Sequence, residues 1–224
     1  MPVALVDMAQ QCAPQIEVET LAAVVSVESG FRPFVIRINS DRALEDQPQT
    51  RAEAIETASI LIADGIDVDL GLGGINSSDL GRVGLSVSDA FDFCLNLQAS
   101  ASLLDGYYQI AVRAGAMELE AETVMLRSYY GRGDPSIGEL VDYDGRVLAE
   151  RERLGSDLSS INISEEQTNE PQWPDRGREL AAGSDTVTTP EHARGRSEAN
   201  EPQWDVFNSG RQSSVLVFSN EQQE

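Results

Sequence analysis

The apolar residues between positions 16 and 29 recur at the spacing of one helix face. A helix turns once every 3.6 residues, so side chains three and four positions apart lie together. Gly30 follows at once and favours the end of a helix, because glycine takes positive φ without steric cost. We predict a helix from about Ile16 to Ser29 with one buried face. Its core positions are Val18, Leu21, Val24 and Val25.

Loops and further helices are predicted to follow this first helix. Thr50 and Glu53 have the spacing of a capping box and predict a helix that ends at Asp64 and Gly65. Residues 32–49 are predicted to form a loop, and the glycine-rich stretch 66–84 a series of turns or a short ribbon. The pattern therefore predicts a mainly α domain. Further helices are expected near 88–93, 96–113, 117–129 and 140–153.

The character of the chain changes near Gly155. Helical periodicity stops there, and polar residues dominate a segment that carries a net charge of -8, with 5 Arg against 13 acidic residues. Such a composition is typical of disorder. The segment repeats Asn-Glu-Pro-Gln-Trp at 169–173 and 200–204, and it ends in an apolar stretch at 215–218. We predict a domain at 1–154 and an acidic, largely disordered tail at 155–224.

The two tryptophans of the repeat have two readings. Exposed tryptophan is a favoured anchor at protein interfaces, which predicts a tail that binds a partner. The repeat is equally well explained as the relic of a duplication in a linker. The apolar end of the chain could likewise add a strand to the sheet of a partner, or be an aggregation-prone terminus.

Charge narrows the choice of partners. The formal net charge is -22, so nucleic acid and anionic membrane surfaces are unfavourable ligands. We find no apolar run long enough to cross a membrane and therefore expect no membrane insertion. The first residues lack the basic and apolar regions of a signal peptide.

Glu28 is the candidate catalytic residue. It lies at the carboxyl end of the first predicted helix, where the helix dipole disfavours an ionised carboxylate. A carboxylic acid near neutral pH can protonate a leaving group. The sole histidine is His192, which makes histidine-based triads and metal sites improbable. A glutamate at a helix end is otherwise most often a solvated surface charge.

Four segments together resemble one family. Glu28–Phe31, the glycine-rich turn Gly71–Asn76, the stretch Cys94–Ala101 and the segment Ser128–Gly131 occur in the order and spacing of the lytic transglycosylase subunit of type IV secretion systems of the Vir or conjugation type. The resemblance covers about residues 9–153. It implies a lysozyme-like domain of the soluble lytic transglycosylase type.

The resemblance implies an enzyme that needs neither cofactor nor metal. Glu28 would protonate the β-1,4 bond between N-acetylmuramic acid and N-acetylglucosamine, and would then take a proton as a 1,6-anhydro ring closes. Cleavage would open the peptidoglycan locally in the periplasm, and the tail would bind components of the secretion apparatus. The alternative is a catalytically weak glycan-binding module that recruits those components through its tail.

The same resemblance suggests which residues contact the sugar. Two residues of this chain depart from the family's pattern at the sugar site. Gly74 stands where the family has Gln, and Tyr130 stands where the family has Asn. Two of the residues have local explanations too, because a serine at a helix end often caps it and a helical tyrosine often packs in the core. The set is Ser29, Gly73, Gly74, Ile75, Asn76 and Tyr129.

Cys12 and Cys94 are the two cysteines of the chain. They are too far apart in sequence for a metal-binding pair. Two free buried thiols are one possibility, and a disulfide between the N-terminal segment and the helix near Cys94 is the other. A periplasmic location, which the resemblance implies, favours the disulfide.

Overall fold

The computed structural model describes residues 3–40, 43–155 and 157–164, and the predicted mainly helical fold is confirmed. None of the helices in these ranges is both long and apolar enough to cross a membrane. The helices are α1 (Leu5–Cys12), α2 (Val18–Ser29), α3 (Arg51–Ala63), α4 (Leu80–Val83), α5 (Phe93–Arg113), α6 (Glu118–Tyr130), α7 (Pro135–Leu140) and α8 (Tyr143–Leu154). The strands are β1 (Val3–Ala4), β2 (Ile36–Ile38), β3 (Val68–Leu70), β4 (Ile75–Asn76) and β5 (Asn162–Ile163).

Helix α2 lies in the main core and packs against α1, α5 and α8. It begins two residues later than predicted, at Val18, and ends as expected at Gly30, which has a φ of 58°. The N–H of Gly30 donates to the carbonyl of Ser26 at 2.9 Å. This left-handed cap stops the helix directly after Glu28 and Ser29, so Glu28 lies in the last turn.

A three-stranded antiparallel sheet, in the order β2-β3-β4, stands beside the end of α2. The prediction of a loop over residues 32–49 is wrong at β2, since Ile36–Ile38 pairs with Val68–Leu70. Three residues are too short for an alternating pattern to be recognised. The register places Arg37 opposite Asp69, and Asp69 opposite Asn76.

The ribbon expected among the glycines is the turn between β3 and β4. Gly71 and Gly74 both have positive φ, 71° and 63°. Asn96 of α5 holds this turn, because its Oδ1 accepts from the Gly73 N–H at 2.8 Å and its Nδ2 donates to the Leu70 carbonyl at 3.1 Å. The turn is therefore tied to the longest helix of the domain.

Two helical predictions need correction. The helix predicted at 140–153 is α8, which begins at Tyr143 because Asp142 takes a φ of 49° that no helix can continue through, and the short α7 before it was not predicted. Helix α1 was not predicted, since eight residues show too few repeats of a helical pattern. It carries Cys12, which forms a disulfide with Cys94 in the first turn of α5.

The chain continues past α8 with further packing. A 3₁₀ turn at Leu158–Ser160 leads into β5, which pairs with β1 so that Ile163 is opposite Val3. Leu158 and Ile163 are both buried in the main core. The domain boundary after residue 154 stays a prediction. The predicted disordered tail with its tryptophan repeat lies, from residue 165 onward, outside the described residues.

Candidate active site

Glu28 lies at the base of a groove between the end of α2, the small sheet and the end of α6. Glu28 is 3% exposed, so its carboxylate is not a solvated surface charge. The groove is lined by residues from six helices and strands, a 3₁₀ turn and two loops. They are Glu28, Arg37, Asp69, Gly74, Ile75, Asn76, Asp79, Leu103, Tyr107, Tyr129, Tyr130 and Arg132.

Both carboxylate oxygens of Glu28 accept hydrogen bonds. The hydroxyl of Tyr143 donates to Oε1 at 2.7 Å, and Arg37 forms an ion pair with Oε2 through Nη2. Arg37 Nη1 also donates to the backbone carbonyl of Glu28 at 3.0 Å. These contacts favour the ionised carboxylate.

The Arg37 contact outweighs the helix dipole. A dipole at the last turn is worth about 0.3–1 kcal/mol, whereas two unit charges 4 Å apart interact by about 4 kcal/mol at an effective dielectric of about 20. Burial lowers the pKa of Arg37, but the charges of Glu28 and Asp69 raise it by more, so the net pKa is raised. The guanidinium stays charged, and Glu28 faces a permanent cation.

Asp69 shares Arg37 with Glu28. Its Oδ2 accepts from Arg37 Nη2 at 3.2 Å, while its Oδ1 accepts from Asn39 at 2.9 Å and from Asn76 at 2.8 Å. It is 5% exposed. This carboxylate is held on all sides as part of a polar network, and it stands beside the same guanidinium as Glu28.

Asp67 is more exposed and pairs with Arg132. Its Oδ2 accepts from Arg132 Nη1 at 2.9 Å, and its Oδ1 from Asn76 at 2.6 Å. Partial burial raises the pKa of Asp67, but the hydrogen bonds from Asn76 and Arg132 lower it by more, so the net pKa is lowered. Asn76 thus links Asp67 and Asp69.

The backbone of Gly74 passes close to the carboxylate of Glu28. An added Cβ would lie 2.7 Å from Glu28 Oε2 and 3.1 Å from Arg37 Nη2. Gly73 is equally confined, since an added Cβ would collide with the hydroxyl of Ser100. In this chain a side chain at either position would displace Glu28 or Ser100, because the turn passes close to both.

Tyr129 joins α6 to this turn. Its hydroxyl donates to the carbonyl of Gly73 at 2.6 Å, and the residue is 9% exposed. Burial, followed by the negative charge of Glu28, raises the pKa of Tyr129. It lines the groove and packs in the core as well, so both sequence interpretations describe part of its position.

Tyr130 stands where the family has Asn, and it also lines the groove. Its ring packs against that of Tyr143 with the centroids 5.1 Å apart. It therefore covers the side chain that bonds to Glu28.

Two of the predicted sugar contacts have other surroundings. Ser29 is fully buried, and its hydroxyl donates to the carbonyl of Val25 at 2.9 Å, which is the local bond considered from the sequence. Ile75 is 1% exposed and packs in the second core cluster beneath the groove. The structure brings Glu28, Gly74, Ile75, Asn76 and Tyr129 together around the groove, and Gly73 lies in the adjoining turn with its carbonyl bonded to Tyr129.

The model of the transglycosylase SLT domain family matches residues 7–121. The chain belongs to this family. All groove residues up to Tyr107 lie within the matched range, Glu28 among them. No solved structure matches the chain.

Three relatives of this chain carry the name virB1, and one of them is named as a type IV secretion system protein. Type IV secretion system protein virB1 of Brucella suis is 40% identical over 105 residues, which are 47% of this chain and 44% of that protein. Protein virB1 of Agrobacterium fabrum is 30% identical over 158 residues, 69% of this chain and 62% of that protein. Protein virB1 of Rhizobium radiobacter is 32% identical over 131 residues, with shares of 57% and 52%. The matched part of the chain thus spans about half the length of these curated relatives.

Sequence reasoning missed three residues that shape the site of the SLT domain: Arg37, Asn96 and Tyr143. Arg37 sits in a strand of three residues, and Tyr143 is 115 positions from Glu28. A polar residue between two isoleucines, as at Arg37, was the available signal for a short strand with one outward side chain. Asn96 lies within the stretch Cys94–Ala101, but nothing in the sequence pattern shows that its side chain binds the glycine turn.

Proposed function

We propose that this chain is a peptidoglycan lytic transglycosylase that cleaves the β-1,4 bond between N-acetylmuramic acid and N-acetylglucosamine and closes a 1,6-anhydro ring. The observation that carries the proposal is the placement of Glu28, buried in the last turn of α2 and open to a groove. Membership of the SLT domain family supports the same activity.

Glu28 is the residue that can exchange a proton with a bound glycan. Asp69 is the groove carboxylate that shares Arg37 with Glu28, and its oxygens accept from Arg37, Asn39 and Asn76. A glycosidase with two carboxylates places them on opposite sides of the bond that breaks. Here Glu28 and Asp69 contact the same guanidinium nitrogen, which suits a reaction with one acid and base.

The reaction would proceed in two proton transfers. Protonated Glu28 gives its proton to the glycosidic oxygen as the bond to the muramic carbon breaks. The resulting carboxylate then takes the proton of the 6-hydroxyl of the same sugar, whose oxygen bonds to that carbon. Glu28 ends protonated as it began, and the oxygen that closes the ring comes from the sugar rather than from water.

The relative named as a type IV secretion system protein supports a place in such an apparatus, for which the chain would open the periplasmic cell wall locally. We propose that the tail predicted at 155–224 binds components of that apparatus, on the sequence evidence of the tryptophan repeat beyond residue 164. A chain ending after Ser164 retains β5 and should keep cleavage while losing partner capture. Loss of cleavage on that truncation would place the tail in the catalytic unit.

Digestion of purified sacculi tests the reaction. Mass spectrometry should find muropeptides with anhydro ends, one water lighter than hydrolysis products, from the wild type. Glu28→Gln should give none, while Glu56→Gln on the exposed face of α3 should match the wild type. Hydrolysed ends would indicate a lysozyme-type reaction instead.

The glycan-binding alternative has one observation in its favour, the ion pair that Arg37 makes with Glu28. A carboxylate held by a cation is a poor proton donor until the contact is broken. If the wild type and Glu28→Gln both bind sacculi and neither releases muropeptides at any pH, the binding module is the better description.

A further inference from the structure

Arg37 divides its guanidinium between two carboxylates. Nη2 contacts both Glu28 Oε2 and Asp69 Oδ2, the latter at 3.2 Å, and Nε lies 3.4 Å from the same Asp69 oxygen. The strand register sets this arrangement, because Arg37 and Asp69 are partners across β2 and β3. A small movement of one guanidinium could transfer it from a shared position to Asp69 alone.

The two oxygens of Glu28 face different surroundings. Oε1 accepts from Tyr143, which is completely buried and lies on the core side. Oε2 accepts from Arg37, whose side chain is 17% exposed and lines the groove. Gly74, another lining residue, passes over the same Oε2. A proton exchanged with a ligand in the groove must therefore leave from the oxygen that Arg37 holds.

We propose that Arg37 is a positioning residue that keeps Glu28 in its base form in the free enzyme and passes wholly to Asp69 when Oε2 takes a proton. The inference rests on the proposed function, since it assigns the control of its acid. The proton comes from solvent, and the charge of Arg37 is then balanced by Asp69. When Glu28 has given the proton to the glycosidic oxygen, Arg37 returns; it passes to Asp69 again when Glu28 takes the proton of the 6-hydroxyl, and that proton goes to solvent as the free enzyme is restored.

Asp69 is built to receive the cation. Asn39 and Asn76 donate to its Oδ1, so Oδ2 is the oxygen turned to Arg37. The charged or titratable groups that contact Glu28 or line the groove with it are Arg37 from β2, Asp69 from β3, Asp79 from the 3₁₀ turn after β4, Tyr107 from α5, Tyr129 and Tyr130 from α6, Tyr143 from α8 and Arg132. Arg132, in the loop after α6, lies 3.8 Å from Asp69 Oδ1.

The pH profile of sacculus cleavage tests the role of Arg37. Activity needs protonated Glu28, so it falls as pH rises through the titration of that group. Removing a contacting cation favours the protonated form, so Arg37→Gln should move this falling limb upward by about one pH unit or more. Arg37→Lys, which keeps the charge, should restore most of the wild-type profile.

Arg132→Gln is the matched control. It removes the same charge from the groove, but its guanidinium contacts Asp67 and Asp69 rather than Glu28. Its limb should move by less than half the shift seen with Arg37→Gln. Equal shifts in the two variants would overturn the inference, because the general charge of the groove would then explain both.

A second variant guards against a fold defect at Arg37. Asp69→Asn removes the alternative partner, so Arg37 belongs to Glu28 alone and the falling limb should move to lower pH. Movement in the same direction as Arg37→Gln would contradict the transfer. Thermal melting of each variant identifies any that fails to fold.

Carboxyl-carbon NMR separates this inference from the proposed function. The Glu28 resonance, assigned by its loss in Glu28→Gln, should titrate at higher pH in Arg37→Gln than in the wild type. This result needs no turnover, so it can hold even if no anhydro product is found. An unchanged titration would sink the role of Arg37, whatever the product analysis shows.

Discussion

The hydroxyl of Tyr143 and the carboxylate of Glu28 are joined by a hydrogen bond of 2.7 Å across 115 positions of sequence. Tyr143 is the first residue of α8, which packs along α2. Arg127 supports the start of α8, because its Nε donates to Asp144 at 2.9 Å. The direction of the Glu28 side chain therefore depends on the packing of the last helix against the second.

Tyr143→Phe should weaken catalysis by about tenfold or more, because a loosened acid no longer holds its reactive geometry. It should also lower the free energy of unfolding by about 1.5–3 kcal/mol, the range for a hydrogen bond to a charged group. Kinetics of muropeptide release and urea unfolding measure the two effects. Tyr108→Phe on α5 is the control, and equal turnover in the two variants would argue against a role for the Tyr143 hydroxyl.

Gly74→Ala should lose activity, since its Cβ would lie 2.7 Å from Glu28 Oε2 and must displace it. Gly84→Ala is a close control, because Gly84 has a φ of 71° and a Cβ there would meet nothing within 4 Å. Both variants pay about 1–2 kcal/mol for a left-handed backbone. Only Gly74→Ala should reduce cleavage by tenfold or more at a temperature where both are folded. Equal activities would show that the approach of Gly74 does not constrain Glu28.

Asn96→Ala should destabilise the domain. The change removes the partners of the Gly73 N–H and of the Leu70 and Ala90 carbonyls, all of which Asn96 now satisfies. Each buried group left without a partner costs about 1–3 kcal/mol. Urea unfolding should show this loss, whereas Gln98→Ala on the exposed face of α5 should stay within about 0.5 kcal/mol of the wild type. Similar stabilities would mean that water replaces the amide.

Replacing Cys12 and Cys94 by serine should lower the free energy of unfolding by up to about 4 kcal/mol, since the bond closes a long loop in the unfolded chain. The cysteines are 82 positions apart. Unfolding of the wild type with and without reductant should reproduce the difference. Alkylation before intact-mass measurement should leave the protein unmodified unless it is first reduced. Two reactive thiols in protein from an oxidising compartment would contradict the pairing.

Asp67 should contribute to stability at neutral pH and lose that contribution in acid. Its pKa is lowered from 3.8 by Asn76 and Arg132 against the effect of burial. The folded state therefore binds its proton less readily than the unfolded state, and stability falls as pH drops through the lowered value. Asp67→Asn should flatten the decline of unfolding free energy below about pH 4. Asp64→Asn, at an exposed helix end, should follow the wild-type curve, and an unchanged slope in Asp67→Asn would refute the linkage.

Local sequence signals correctly predicted helix α2, its end at Gly30 and the start of α3. The apolar spacing of α2, the left-handed cap at Gly30 and the capping box at Thr50 all depend on neighbours in sequence, and all are present. The glycine turn was also recognisable, because positive φ selects its residue type. These elements place one acid at the end of a buried helix.

The partners of that acid depend on tertiary packing. Arg37 reaches Glu28 because β2 pairs with β3, and a strand of three residues leaves no readable pattern. Tyr143 reaches it because α7 and α8 separate at Asp142, whose left-handed backbone no local motif announced. Resemblance of motifs therefore predicted the acid, while the groups that govern its charge required the three-dimensional fold.

The pairing of β1 with β5 has a practical consequence for engineering. Val3 and Ile163 face each other across two antiparallel strands, and such partners lie only about 5 Å apart. A short peptide could therefore join Val3 to Ile163, and new termini could be opened in the surface segment before α3. A permuted chain of this kind would keep Glu28, Arg37 and Tyr143 on intact elements and would carry any fused protein at the new termini.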